Sequence, residues 1–181
     1  MSSQLELRLS GSGGQGLIMA GIIIAEAALL DEKNAIQSQS YGPEARGGAS
    51  KAEVIISQDD IDFPKVQNPN LILSLTQIAC DKYIETINPD GIVVVDSSIQ
   101  LPEGLKAGKI VQVPIIKTAI EKVGKGIVAN IVAIGLITEL IGGAVSKESI
   151  EAAVLKRVPK GTEEMNKKAL TEGYKLAEAF K

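Results

Sequence analysis

Strands alternating with helices, then a helical tail, predict an α/β fold: a Rossmann-like, mainly parallel sheet flanked by helices, formed as one domain over residues 1–181. Three observations carry that reading. Residues 5–9 (Leu-Glu-Leu-Arg-Leu) alternate strictly and run into a glycine-rich turn followed by an apolar helical stretch. Leu71-Ile72-Leu73 and Ile92-Val93-Val94-Val95 are short apolar runs of the kind found in strands buried on both faces. From Ile115 onward the pattern is helical to the end.

The elements follow in order. The first strand leads through Gly11-Ser12-Gly13-Gly14-Gln15-Gly16 into a helix from about Gln15 to Leu30. A second strand is expected at 34–39, although Gln37-Ser38-Gln39-Ser40 is polar for one. Ala52, Val54 and Ile56, alternating with Glu53, Ile55 and Ser57, make a third. Thr76 can cap a helix whose Ala79, Tyr83 and Ile87 share one side. The strand Ile110 to Val113 is stopped by Pro114. A short helix then precedes Gly124-Lys125-Gly126, and an apolar helix spans 127–141. Ser146 can cap a helix with Ile150, Ala153, Val154 and Val158 as its stripe. Thr162 followed by Glu163-Glu164 should cap the last helix, whose stripe is Met165, Ala169, Gly173, Leu176 and Phe180.

Composition narrows the function classes. Hydrophobic residues make up 45% of the 181 but aromatics only 3%, so Ile, Val, Leu and Ala must build the core. A net charge of −3 gives no reason to expect nucleic acid or an anionic membrane as partner. The single cysteine, Cys80, excludes an internal disulfide and any multi-cysteine iron–sulfur or zinc site, and reads as a small core residue. Histidine is absent, which removes the commonest general base and every Ser-His or Cys-His nucleophile. No catalytic residue and no metal ligand is assigned to this chain. Leu17 to Leu30 and Ile127 to Leu140 are shorter than a membrane span and interrupted by Glu26, Asn130 and Thr138. With no secretory leader pattern at the N-terminus, the expected location is the cytoplasm.

Two loops carry the candidate site. Gly11, Gly13 and Gly16 satisfy G-x-G-x-x-G between a strand and a helix, where free N–H groups and the positive helix end can meet an anion. A dinucleotide site also needs an acid at the end of the second strand. Asp31 and Glu32 fall before that strand, which ends in Gln37-Ser38-Gln39. Gly11, Gly13, Gly14, Gln15 and Gly16 are therefore read as an anion or interface contact, against the alternative that these glycines serve strand–helix packing alone. The second loop is Ser40 to Ser50. Pro43 holds its own φ and turns Gly42 from helical geometry, and Gly47-Gly48 follow a Glu44-Ala45-Arg46 centre. A Glu44–Arg46 surface pair would stabilise by only about 0–1 kcal/mol. Arg46 beside two glycines suits bidentate binding of a carboxylate or phosphate, or of an acid on another subunit. Tyr41, Gly42, Pro43, Glu44, Arg46, Gly47 and Gly48, with Asn130, form the expected interface or active-site edge. Asn130 sits among apolar neighbours, so its amide needs either a neighbouring loop or a ligand. Gly124-Lys125-Gly126 lacks the rest of a P-loop, and Lys125 reads as a solvated charge.

These two loops, with Asn130 in Val128-Ala129-Asn130-Ile131-Val132-Ala133-Ile134-Gly135 and with Asn166, Ala169 and Gly173-Tyr174 in the tail, resemble the γ subunit of the 2-oxoacid:ferredoxin oxidoreductases. The likeness runs from the first strand to the last helix. It implies a multi-subunit enzyme that oxidatively decarboxylates a 2-oxoacid to an acyl-coenzyme A and passes electrons to ferredoxin. The stretch Ser38 to Val54 is nearer to γ chains for 2-oxoglutarate than to those for pyruvate. The indolepyruvate enzyme's β subunit shares the first turn and departs in the second loop. The resemblance places thiamine diphosphate with Mg²⁺ on α and β chains, iron–sulfur clusters on other subunits including a ferredoxin-like δ, and no cofactor on this chain, coenzyme A contact being left open. The competing class is a stand-alone nucleotide- or coenzyme A-binding module without catalysis.

Overall fold

The computed structural model describes residues 4–40 and 48–181. Six strands form one sheet in the order β2-β3-β1-β4-β5-β6. They are β1 (Leu5–Ser12), β2 (Asn34–Gln39), β3 (Ala49–Ser57), β4 (Leu71–Ser74), β5 (Ile92–Asp96) and β6 (Lys109–Val113). β1, β4, β5 and β6 pair in parallel, while β3 lies antiparallel between β1 and β2. All strands but β3 thus point one way, which matches the mainly parallel sheet expected. β3 follows β2 in sequence and pairs beside it antiparallel; residues 40–48 between them are fewer than the dozen or more that a parallel crossover needs.

One face carries α1 (Leu17–Leu30), α4 (Ala129–Leu140), α5 (Lys147–Arg157) and α6 (Glu163–Ala177). Their aliphatic side chains pack on Leu7, Leu9, Val54, Leu73, Val94 and Val111 in one cluster. The other face is covered by α2 (Gln77–Tyr83), where Ile72, Val93 and Val95 meet Cys80, Ile84, Ile87 and Ile99. α3 (Ile115–Thr118) begins where Asp96 Oδ1 accepts from the Ile116 amide at 2.9 Å. The apolar segments 17–30 and 127–141 are helices packed on the sheet as expected, with Leu29, Leu30 and Ile127 left exposed, and no described helix is long and apolar enough to cross a membrane.

Central placement changes what the alternation of β1 means. Arg8, the polar partner of Leu7 and Leu9, is buried rather than solvated. Its Nε donates to Glu53 Oε1 at 3.1 Å, Nη1 to Thr86 Oγ1 at 2.6 Å and Nη2 to the Val66 carbonyl at 3.3 Å. Lys51 Nζ reaches the same carboxylate at 2.7 Å, and both cations lie against the Tyr83 ring. A buried charge needs such pairing, and here the β1–β3 ladder supplies it.

Two caps behave as expected: Thr76 Oγ1 accepts from Ala79 N at 3.3 Å and Ser146 Oγ from Ser149 N at 3.2 Å. Thr162 does not. Its hydroxyl turns back and donates to the Pro159 carbonyl at 2.6 Å, leaving α6 without a side-chain cap. The first helix begins at Leu17 rather than Gln15, because Gly16 takes a left-handed φ of 72°. The buried face of α6 is Asn166, Ala169, Leu170, Gly173 and Ala177, rotated from the expected stripe. Met165, Leu176 and Phe180 only flank it.

Candidate functional site

The glycine-rich turn sits at the carboxyl end of β1. There the chain passes to α1 on one face of the sheet, while neighbouring β4 leads to α2 on the other. That divergence is where open α/β sheets form a binding crevice. Ser10 Oγ ties the two strands together, donating to the Leu73 carbonyl at 2.7 Å.

The turn is self-supported. Gln15 Oε1 accepts from the Ser12 amide at 2.8 Å, and a Cβ on Gly11 would lie 2.3 Å from that oxygen and 2.9 Å from Leu17 Cδ1. Asn130 Nδ2 donates to the Gly16 carbonyl at 3.1 Å, and its Oδ1 accepts from Ile131 N at 2.9 Å. Asn130 therefore braces the turn through the neighbouring loop, one of its two sequence readings. Gly13 and Gly14 are exposed, and the first turn of α1 has no side-chain cap. Its amides stay available to an outside acceptor.

The two sequence loops meet at one edge. In the β1–β3 register Gly11 faces Ser50 and Ser12 faces Ala49, while the Ser40 amide donates to the Lys51 carbonyl at 3.2 Å. Ser40, half-buried Gly48 and the glycine-rich turn thus share the carboxyl edge of the sheet. Tyr41, Gly42, Pro43, Glu44, Arg46 and Gly47 lie outside the described residues.

A cleft of about 400 Å³ opens beside the turn. Gly14, Gly16 and Met19 form one wall, Ile127 to Ile131 at the start of α4 the second, and Val158 to Asn166 between α5 and α6 the third. Asn166 is the residue that sequence reasoning noted without assigning it a place. It is buried at 3% exposure, and its Nδ2 donates to the Thr162 carbonyl at 2.9 Å and to Thr162 Oγ1 at 3.1 Å. A polar residue within an otherwise apolar face was the signal available beforehand.

The cleft is lined mainly by apolar side chains with Lys125, Asn130, Thr162 and Asn166 as its polar groups. Neither an acid, a thiol nor an imidazole lines it. Asp31, whose spacing invited comparison with a ribose ligand, accepts instead from Ser146 N at 2.6 Å, Ser146 Oγ at 2.8 Å and Ser149 Oγ at 2.5 Å. Burial pushes its carboxyl upward, but those donors outweigh burial and hold it below the usual range. Cys80 is fully buried, and burial followed by the nearby Asp81 charge pushes its thiol up, the opposite of an activated thiolate. Among the described residues no group of three or more Cys, Asp or Glu could hold a metal ion. With a single cysteine in the chain, no multi-cysteine iron–sulfur ligand set can form.

Comparison with known proteins agrees with this architecture. Residues 6–176 match the family model described as pyruvate ferredoxin/flavodoxin oxidoreductase. The chain is 50% identical to the 2-oxoglutarate synthase subunit KorC of Methanocaldococcus jannaschii, covering 95% of this chain and 93% of that one. It is 30% identical to the common γ subunit of the pyruvate/ketoisovalerate oxidoreductases of Pyrococcus furiosus, covering 97% and 98%. The crystal structure of the keto/oxoacid ferredoxin oxidoreductase γ subunit from Geobacter sulfurreducens superposes with a TM-score of 0.88 at 50% identity, over 97% of both chains. The chain belongs to the pyruvate ferredoxin/flavodoxin oxidoreductase family, among its γ-type subunits.

Proposed function

We propose that this chain is the γ subunit of a 2-oxoglutarate:ferredoxin oxidoreductase. One observation carries the reading: half of its residues are identical to KorC along nearly the whole length of both chains. Identity falls to 30% against the pyruvate/ketoisovalerate subunit, which favours 2-oxoglutarate over those acids. In the reaction the 2-oxoacid loses its carboxyl as CO₂, and its acyl carbon joins the coenzyme A sulfur. Two electrons pass to ferredoxin and the thiol proton is released.

Thiamine diphosphate, Mg²⁺ and the iron–sulfur clusters belong on companion α, β and δ chains. A chain with no histidine and one buried cysteine has no donor set for an iron–sulfur cluster. Its own contribution is a shaped edge: Gly11, Gly13, Gly14, Gln15 and Gly16, braced by Asn130, with Ser40 and Gly48 at the same edge; Tyr41, Gly42, Pro43, Glu44, Arg46 and Gly47 are assigned to this contact from their sequence. In this reading Arg46 pairs with a carboxylate or phosphate at the subunit boundary, the phosphates of coenzyme A among the candidates.

The test is co-expression with the companion chains, followed by measurement of 2-oxoglutarate- and coenzyme A-dependent ferredoxin reduction. The complex should turn over and the γ chain alone should not. Arg46→Ala should weaken assembly or raise the KM for coenzyme A; unchanged assembly and turnover would remove Arg46 from the site. Saturable nucleotide binding by the isolated chain, with no assembly, would instead favour a stand-alone module.

A further inference from the structure

We infer that the cleft between the glycine-rich turn and the starts of α4 and α6 is the seat for an extended segment of a companion subunit. That segment carries a bulky aliphatic or aromatic side chain next to a carboxylate. The inference rests on the functional reading above and adds the place and chemistry of one contact.

Three features specify the occupant. First, Asn166 leaves one acceptor open. Its Nδ2 donates to the Thr162 carbonyl and to Thr162 Oγ1, whose own hydroxyl proton goes to the Pro159 carbonyl, which points Oδ1 toward the cleft. Oδ1 accepts from none of the described residues and is reached only from the cleft, the residue being 3% exposed. A backbone N–H of an extended chain would satisfy it. Second, Lys125 stands at the cleft and forms no ion pair with any described residue, so a carboxylate is its natural complement. Third, the apolar surface continues beyond the cavity. Met19 is 39%, Ile120 53% and Ile127 76% exposed. Ile120 lies against Gly126, and Ile127 is a ridge between this cleft and a second one that Gly14 also lines. A small ligand inside the cavity would leave that ridge wet. A protein segment crossing it would cover the ridge and fill both clefts.

The close approach of α4 and α6 is what puts Asn166 there. A Cβ on Gly173 would lie 2.1 Å from the Val132 carbonyl, so only glycine lets α6 bring Asn166 up to the wall made by Asn130 and Ile131.

The test uses the full chain co-expressed with its companions. Ile127→Asp and Lys125→Glu change exposed side chains, and urea unfolding of each variant checks that the fold is kept. Each should weaken capture of the companion chains about 30-fold, the loss expected when an interface anchor is removed. The remaining assembled enzyme should keep its KM for coenzyme A. A photo-crosslinking residue in place of Ile127 should attach to a companion peptide containing Asp or Glu. Wild-type affinity in both variants would overturn the seat and leave the functional reading standing. Normal assembly with a raised KM for coenzyme A would also overturn it, assigning the cleft to a small ligand. A wild-type chain that captures no companion would sink the functional reading, and the seat with it.

Discussion

Replacing Gly173 by alanine probes the contact on which the cleft depends. The added methyl would sit 2.1 Å from the Val132 carbonyl oxygen, 2.9 Å from Gly135 Cα and 2.9 Å from Leu136 N. All three are backbone atoms, so no side chain can rotate away and the helices must part. Gly135 is as tight from the other side, its Cβ position lying 2.4 Å from the Leu170 carbonyl. Overpacking a filled core by one methylene costs about 1–3 kcal/mol, with the upper end apt where backbone must move. Alanine returns about 1 kcal/mol through helix propensity. The net is a loss of about 2 kcal/mol, or about 4–8 °C in Tm for a chain of this size. Urea unfolding at pH 7 measures the first and a thermal melt the second. An alanine variant as stable as the parent, or more so, would show that α4 and α6 do not cross at these glycines. The same variant should weaken companion capture, because it moves Asn166 off the cleft wall.

Three further outcomes follow from particular contacts. Gly14→Ala meets no atom within 4 Å and suffers only its left-handed φ of 86°, about 1–2 kcal/mol. Gly16→Ala carries the same strain and also drives its Cβ to 2.5 Å from Asn130 Nδ2, so it should lose about 1 kcal/mol more; equal losses in urea unfolding would refute the brace. The Asp31 carboxyl is held below its ordinary range, so the stability it adds is present above the unfolded carboxylate pKa and disappears as pH falls through the lowered value. Asp31→Asn should therefore be less stable by about 1–3 kcal/mol at pH 7, with the gap to the parent closing toward pH 3; a gap independent of pH would contradict this. Cys80 should resist a thiol reagent at pH 7 in the folded chain and react fully in denaturant, as a colorimetric thiol assay would record.

Much of the molecule is legible along the chain because local rules determine it. Five of the six strands lie within a few residues of where strict alternation or short apolar runs bounded by turn residues put them, and the polar 34–39 stretch is a strand as well. The two long apolar helices and the Thr76 and Ser146 caps likewise follow from residue type and spacing, whereas the left-handed φ of Gly16 that starts the first helix at Leu17 does not. The lack of histidine and of a second cysteine is a matter of which side chains exist. Tertiary structure alone decided the rest. Nothing local reveals that Arg8 is buried, since its partner Glu53 is 45 residues away and reaches it only when β3 inserts antiparallel beside β1. Nothing local turns Thr162 from cap to back-bonded hydroxyl, or rotates α6 so that Asn166 faces inward. That rotation is set by Gly135 meeting Gly173 across a helix crossing, and the cleft's other wall by Asn130 reaching Gly16 over 114 residues. Residue type and spacing determine which backbone conformations are cheap; which polar groups end up facing one another depends on packing between distant segments, and the cleft is made of such meetings.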